Sequence, residues 1–183
     1  MTVSAKTATP PYRRAIHSLT GAFAIGLAAS TAVLAWSDET TNERDYNTVC
    51  EYKPESQCAG AIRMDADMSG VDMQNASMTT MRLDRANLMR ANLSGAILQM
   101  TNLQGANLML ANLTRAHMHA VNLQGANLSL ANLSGVNLLD ADLRGANFTG
   151  ANMTGAILIQ AKLDNATWTD GRICAEGSVG ECR

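Results

Sequence analysis

Three kinds of residue in this chain could carry chemistry beyond ordinary surface polarity: four cysteines, three histidines and eleven methionines. The cysteines are Cys50, Cys58, Cys174 and Cys182. Thiols form disulfides, hold zinc or stay free, and zinc needs four converging ligands. An even cysteine count in an exported chain reads as a disulfide framework, with three pairings open to four cysteines. Methionine thioethers suit copper(I), and His117 and His119 could offer a ligand or a base. Catalysis would need more. There is no CxxC, no GxGxxG, no phosphate-binding loop and no Ser/His/Asp arrangement. The residues therefore predict no enzyme, no cofactor and no metal.

The first residues read as an address. Arg13 and Arg14 precede an uncharged run from Leu19 to Trp36. A positive start, an apolar stretch and small residues at its end describe a secretory signal. Val33 and Ala35 suit the positions before a cleavage site, so residues 1–35 are expected to be a signal peptide. The competing reading is a membrane anchor over residues 19–36, near the minimum length for a span. Either reading places the remainder outside the cytoplasm, in the periplasm. Lys6, Arg13 and Arg14 are the only charges before Asp38, so removing them makes the remainder more acidic. That balance leaves no basic footprint for nucleic acid.

The rest of the chain is organised by a period of five. Stepping by five from Met68 to Trp168, every residue is large and apolar, as in Leu83, Leu108, Met118 and Phe148. Two positions before each centre the residue is usually Ala, and one before it is usually Asn or Asp. The last position of the quintet is often Gly, as at Gly95, Gly125 and Gly145. Five fits neither the helical nor the strand period. A mixture explains it: the small residue and the centre, two apart, point the same way in an extended segment. The Asn between them points out, and the remaining two residues turn a corner where Gly is useful. Aromatics make up only 4% of the chain, so the interior must be narrow and filled by Ala, Leu and Met. One such coil cannot bury its own leucines, so coils must stack. Met68, Met73, Met78, Met118 and Met153 fall on centres and are expected in the core as leucine substitutes.

The runs ANLMRANLSGAILQ, GANLMLANLT and GANLSLANLSGVNLLDADLRGANFTGANMT resemble the A(D/N)LXX signature of the pentapeptide-repeat family. The resemblance implies an all-β fold, a right-handed quadrilateral β-helix with four quintets per coil. Residues 66–170 would then make about five coils, a rod about 25 Å long at about 4.8 Å per stacked strand. Residues 36–65 read as a linker and N-terminal cap, because Arg63 falls on the grid where a Leu would be. Residues 171–183 read as a C-terminal disulfide tail, and ATWTDGRICAEGSVGEC is similar to extensions of exported family members. A straight rod keeps the cysteine pairs apart, so pairing within each end, Cys50 with Cys58 and Cys174 with Cys182, is the expected one.

Under that geometry residues twenty apart stack in columns, and four faces can be read. Two carry apolar residues outward. One presents Met89, Met109, Leu110 and Leu130; the other presents Ile97, Met100, His117, His119, Leu139, Ile157 and Ile159. Met89 and Met109 alone are too few ligands for copper. In register with the two histidines, Ile97, Asn137, Gln99 and Leu139 offer no carboxylate. The apolar columns are candidate contact patches. The expected function is a non-enzymatic, exported structural or protein-interaction module. Its partner would be a protein, self-association included, with a membrane involved only if the N-terminal segment stays. The resemblance also implies a DNA-mimicking modulator of a type II topoisomerase as an alternative. That role needs a strongly anionic rod, and residues 61–170 are close to neutral. An envelope metal-binding protein is the third alternative.

Overall fold

The computed structural model describes residues 50–183. The expected signal peptide 1–35, the alternative anchor 19–36 and linker residues 36–49 lie outside the described residues.

Each quintet folds as three extended residues followed by a two-residue corner. The wiring of residues 107–111 shows why the unit repeats. The Leu108 amide donates to the Asn127 carbonyl in the next rung, and the Asn107 amide donates to Ala86 in the rung before. At the corner, the Leu110 amide donates to the Ser129 carbonyl of the next rung. The Ala111 amide closes the turn onto Leu108, and the Asn107 side chain accepts the Met109 amide. All five amides are thus bonded, which a stacked backbone requires.

The pairing is parallel and advances by twenty residues, as in Asn87 with Asn107 and Asn107 with Asn127. Twenty residues are four quintets, so each turn has four sides. The pairs are isolated bridges rather than extended strands, because a corner interrupts every side after three residues. Each corner holds a left-handed backbone angle. Glycine supplies it at Gly95 and Gly125, but Thr80, Arg90, Leu110 and Leu130 adopt it too. The corner conformation is therefore imposed by the rung and not only permitted by glycine.

Inside, Ala stacks on Ala and Leu on Leu in continuous columns; Ala106, Leu108, Leu113 and Leu128 are essentially inaccessible. Thr101 takes a small-residue position and satisfies its hydroxyl by donating to the Met78 carbonyl. No buried side-chain polar atom among the described residues lacks a partner.

Both ends depart from the expectation. At the N-terminal end the regular path begins before residue 66, since Gln57 bridges Ser77 and Ile62 bridges Arg82. Cys58 fills a centre position and Ala61 a small position, both fully buried. Arg63 stands at the following centre but stays half-buried, its amide still donating to the Arg82 carbonyl. Cys50 and Cys58 form one disulfide, and Cys174 and Cys182 the other, with Cα separations of 4.7 and 4.8 Å.

At the other end the left-handed angle moves to Gly171 and the repeat stops. The chain doubles back: Ile173 bridges Thr167 and Val179 bridges Lys162, both antiparallel. This tail covers two sides of the last rung and leaves the sides of Asn152 and Ile157 without a rung above. Met153 and Leu158 are accordingly half-buried, where the repeat alone predicts buried centres; Trp168, on a side the tail does cover, is half-buried as well. Trp168 packs edge-on against Phe148 one rung below, with ring centroids 5.9 Å apart.

These differences in burial predict different costs. Leu113→Ala in the middle of the stack should cost about 2–5 kcal/mol. Met153→Ala at the half-open end should cost about 1 kcal/mol. Urea denaturation midpoints of the two variants test the ordering, and equal losses would contradict the half-open end.

Candidate functional site

No group of three or more His, Cys, Asp or Glu side chains converges on a metal-sized site among the described residues. What the rod offers is its faces, and each face is built by one column per quintet position.

The first face, of centres Met68 to Trp168, carries an amide ladder. Asn107 donates its side-chain amide to Asn87, and Asn87 donates to Asp67, at 3.2 and 3.0 Å. Asp67 heads the ladder. Hydrogen bonds from the Ser69 side chain and backbone, then from Asn87, hold its carboxyl below the usual range. Beside the ladder, Met89 and Met109 are half-buried, while Leu110 and Leu130 stand out at the corner, Leu130 with 57% exposed. Leu130 leans along the rod over Gly150, where an added Cβ would come within 2.7 Å of it.

The second face repeats the ladder through Asp72, Asn92 and Asn112. Ser94 and Thr114 donate their hydroxyls back to the same asparagines, which leaves a small, polar surface.

The third face carries the second apolar set. Met100 is 58% and Ile159 63% exposed, with Ile97 and Ile157 also exposed and Leu139 half-buried. His117 is exposed, and His119 lies 3.3 Å from a carboxylate oxygen of Asp140. This carboxylate corrects the expectation that none lies within reach. Asp140 belongs to a corner column, so it is absent from the register of twenty. The twenty-one residue offset between a face position and the next corner would have found it. Two half-exposed groups do not make a catalytic or metal constellation.

The fourth face is charged and internally paired. Arg85 makes a bidentate pair with Asp65, at 2.7 and 2.8 Å, one rung away. Asp84, itself largely buried, accepts from Arg82 and from Asn102. Asp142 accepts from both Arg144 and Gln124. The Arg144 hydrogen bonds, helped by Gln124, pull its carboxyl below the usual range. A shallow groove of about 390 Å³ runs past Asp84, Arg85, Gln104 and Gln124, floored by Gly105 and Gly125. Its polar lining is mostly committed to neighbours in the rod.

The sign of these shifts predicts the acid limb of stability. Carboxyls depressed in the folded state stabilise it above their unfolded value of about 3.9 and lose that contribution as pH falls through the folded value. The melting temperature should therefore be flat from pH 7 to about 5 and fall below about 4. Asp142→Asn should fall less steeply over that limb than the parent; an unchanged slope would contradict the assigned role of the Arg144 pair.

The family described as pentapeptide repeats matches in eight copies, over residues 86–129, 111–150 and 131–167. No curated protein matches the chain. Among solved structures, a pentapeptide repeat protein from Nostoc PCC 7120 is 41% identical, covering 42% of this chain and 67% of that one, with a TM-score of 0.35. One from the cyanobacterium Cyanothece 51142 is 29% identical, covering 64% of this chain and 91% of that one, with a TM-score of 0.33. A third, from the Arabidopsis thaliana thylakoid lumen, is 25% identical, covering 73% and 86%, with a TM-score of 0.38. With its repeats, its twenty-residue rungs and this match, the chain belongs to the pentapeptide repeat family, whose members fold as right-handed β-helices.

Proposed function

We propose that the chain is an exported, non-enzymatic contact or structural module. It is a rod of nearly six coils with a disulfide-closed segment at each end, working through its side faces on a protein partner. The observation that carries this reading is the pairing of all four cysteines in the chain. Structural disulfides persist in oxidising compartments and are rare in the cytosol. The charged start and apolar run at residues 13–36 fit the same destination, the periplasm. The outward apolar columns at Leu110 and Leu130, and at Ile97, Met100 and Ile159, supply the contact surface. Exposed apolar groups in a row on a rigid scaffold suit a protein partner better than a small ligand, which needs concavity.

Two measurements test this reading. Fractionation of the host followed by intact mass and thiol count should give a periplasmic species starting near Trp36 with no free thiols. A cytoplasmic, full-length species with reduced cysteines would overturn it. Separately, Leu110→Asp or Leu139→Asp should abolish capture of the partner without changing the circular dichroism spectrum. Undiminished capture by both variants would remove the two faces from the proposal.

A further inference from the structure

The tail closes two sides of the last rung by a specific pattern. Leu163 donates its amide to the Ser178 carbonyl, and Gly180 donates to Ala161; Trp168 donates to Arg172, and Cys174 donates to Ala166. The residues at the middle of these pairs, Val179 and Ile173, turn their own amide and carbonyl groups away from the rod. Among the described residues those groups have no backbone partner.

The other two sides show the opposite need. The amides of Met153 and Leu158 and the carbonyls of Ala151 and Ala156 have no partner among the described residues. In every lower rung the equivalent amide donates, and the equivalent carbonyl accepts, across a parallel bridge: Leu133 to Asn152, and Asn152 to Ala131. One residue presenting both its amide and its carbonyl fills such a bridge. Ile173 and Val179 each present that set. They are also exposed apolar residues, at 68% and 42%, as is Ile157 at 44%.

We propose that this end is a two-fold dimer interface between copies of this chain, in which each tail completes the other copy's last rung. A two-fold axis perpendicular to the rod reverses the rung direction. A tail that runs antiparallel to its own rung then runs parallel to the rung of its mate, as these bridges require. Taken in chain order, Ile173 of the second copy pairs with Asn152, and Val179 of the second copy pairs with Ile157. The two half-layers sit side by side and complete one full layer. The contact is isologous and closed, so it ends the stack instead of propagating it. It also resolves what an unpaired rung edge otherwise is, a template for indiscriminate pairing.

Sedimentation equilibrium on the full chain tests this. The parent should sediment at twice the chain mass. Ile157→Asp and Val179→Asp, both at exposed positions, should each shift it to the single mass with an unchanged circular dichroism spectrum. Leu130→Asp, exposed but away from the end, should stay dimeric. Oxidative cross-linking gives the register without relying on a charge in the interface. Parallel neighbours lie within disulfide reach, so mixing Ile157→Cys with Val179→Cys should yield a covalent dimer severalfold more abundant than either variant alone. A single-chain mass for the parent at every concentration, a dimer that survives both Asp substitutions, or equal cross-linking in mixed and unmixed samples would overturn the proposal.

Discussion

Every fifth residue of the rod must hold a left-handed backbone angle, and the remaining structure depends on that corner. The angle is present at each step from Glu55 to Asn165, whatever residue stands there. For a non-glycine residue it costs about 1–2 kcal/mol. The opposing gain is collective. Each corner aims three extended residues so that two amides reach neighbouring rungs and the centre enters the core. Thr80 is the one β-branched residue among these non-glycine corners. Some large corner residues also sit against a glycine in the same column. Asn75, Arg85, Arg115 and Leu130 each lean over the glycine one rung later, at Gly95, Gly105, Gly135 and Gly150. Where the angle slips by one residue, to Gly171, the repeat ends and the tail reverses.

The surface follows from the same geometry. A column of identical positions brings like groups within one rung spacing, and amides suit that arrangement because each can both donate and accept. The Asn columns use this, with Asp67 and Asp72 accepting at their heads. Charged columns would repel themselves, and the fourth face avoids this by alternating sign, as in Asp65 with Arg85. Apolar residues at Leu110, Leu130, Met100 and Ile159 have no such internal use. That distinction, between surface groups spent on the rod and surface groups left over, separates scaffold from contact surface.

The period of five, the inward centres and the pairing of the cysteines were legible in the chain, because each rests on one residue type at one spacing. The ends were not. Cys58 stands in a leucine position, so its thiol disguises a regular rung as a cap. Arg63 at the next centre interrupts the apolar series although the backbone path continues through it. Nothing in the spacing of Ile173 and Val179 announces an antiparallel return, since six residues there span what five span in the rung. His119 and Asp140 meet across a corner, outside the column register. The pattern reads what repeats; it is blind to contacts made once.

Amide hydrogen exchange at the corners tests the account most directly. Arg90, Leu110 and Leu130 have exposed side chains, yet their amides donate to Met109, Ser129 and Thr149 in the next rung, at 3.0, 3.1 and 2.9 Å. The account predicts that these three amides are as protected as those of the buried centres Leu88, Leu108 and Leu128. Fast exchange at the corners beside slow exchange at the centres would show that the corners do not pair, and would contradict the twenty-residue rung.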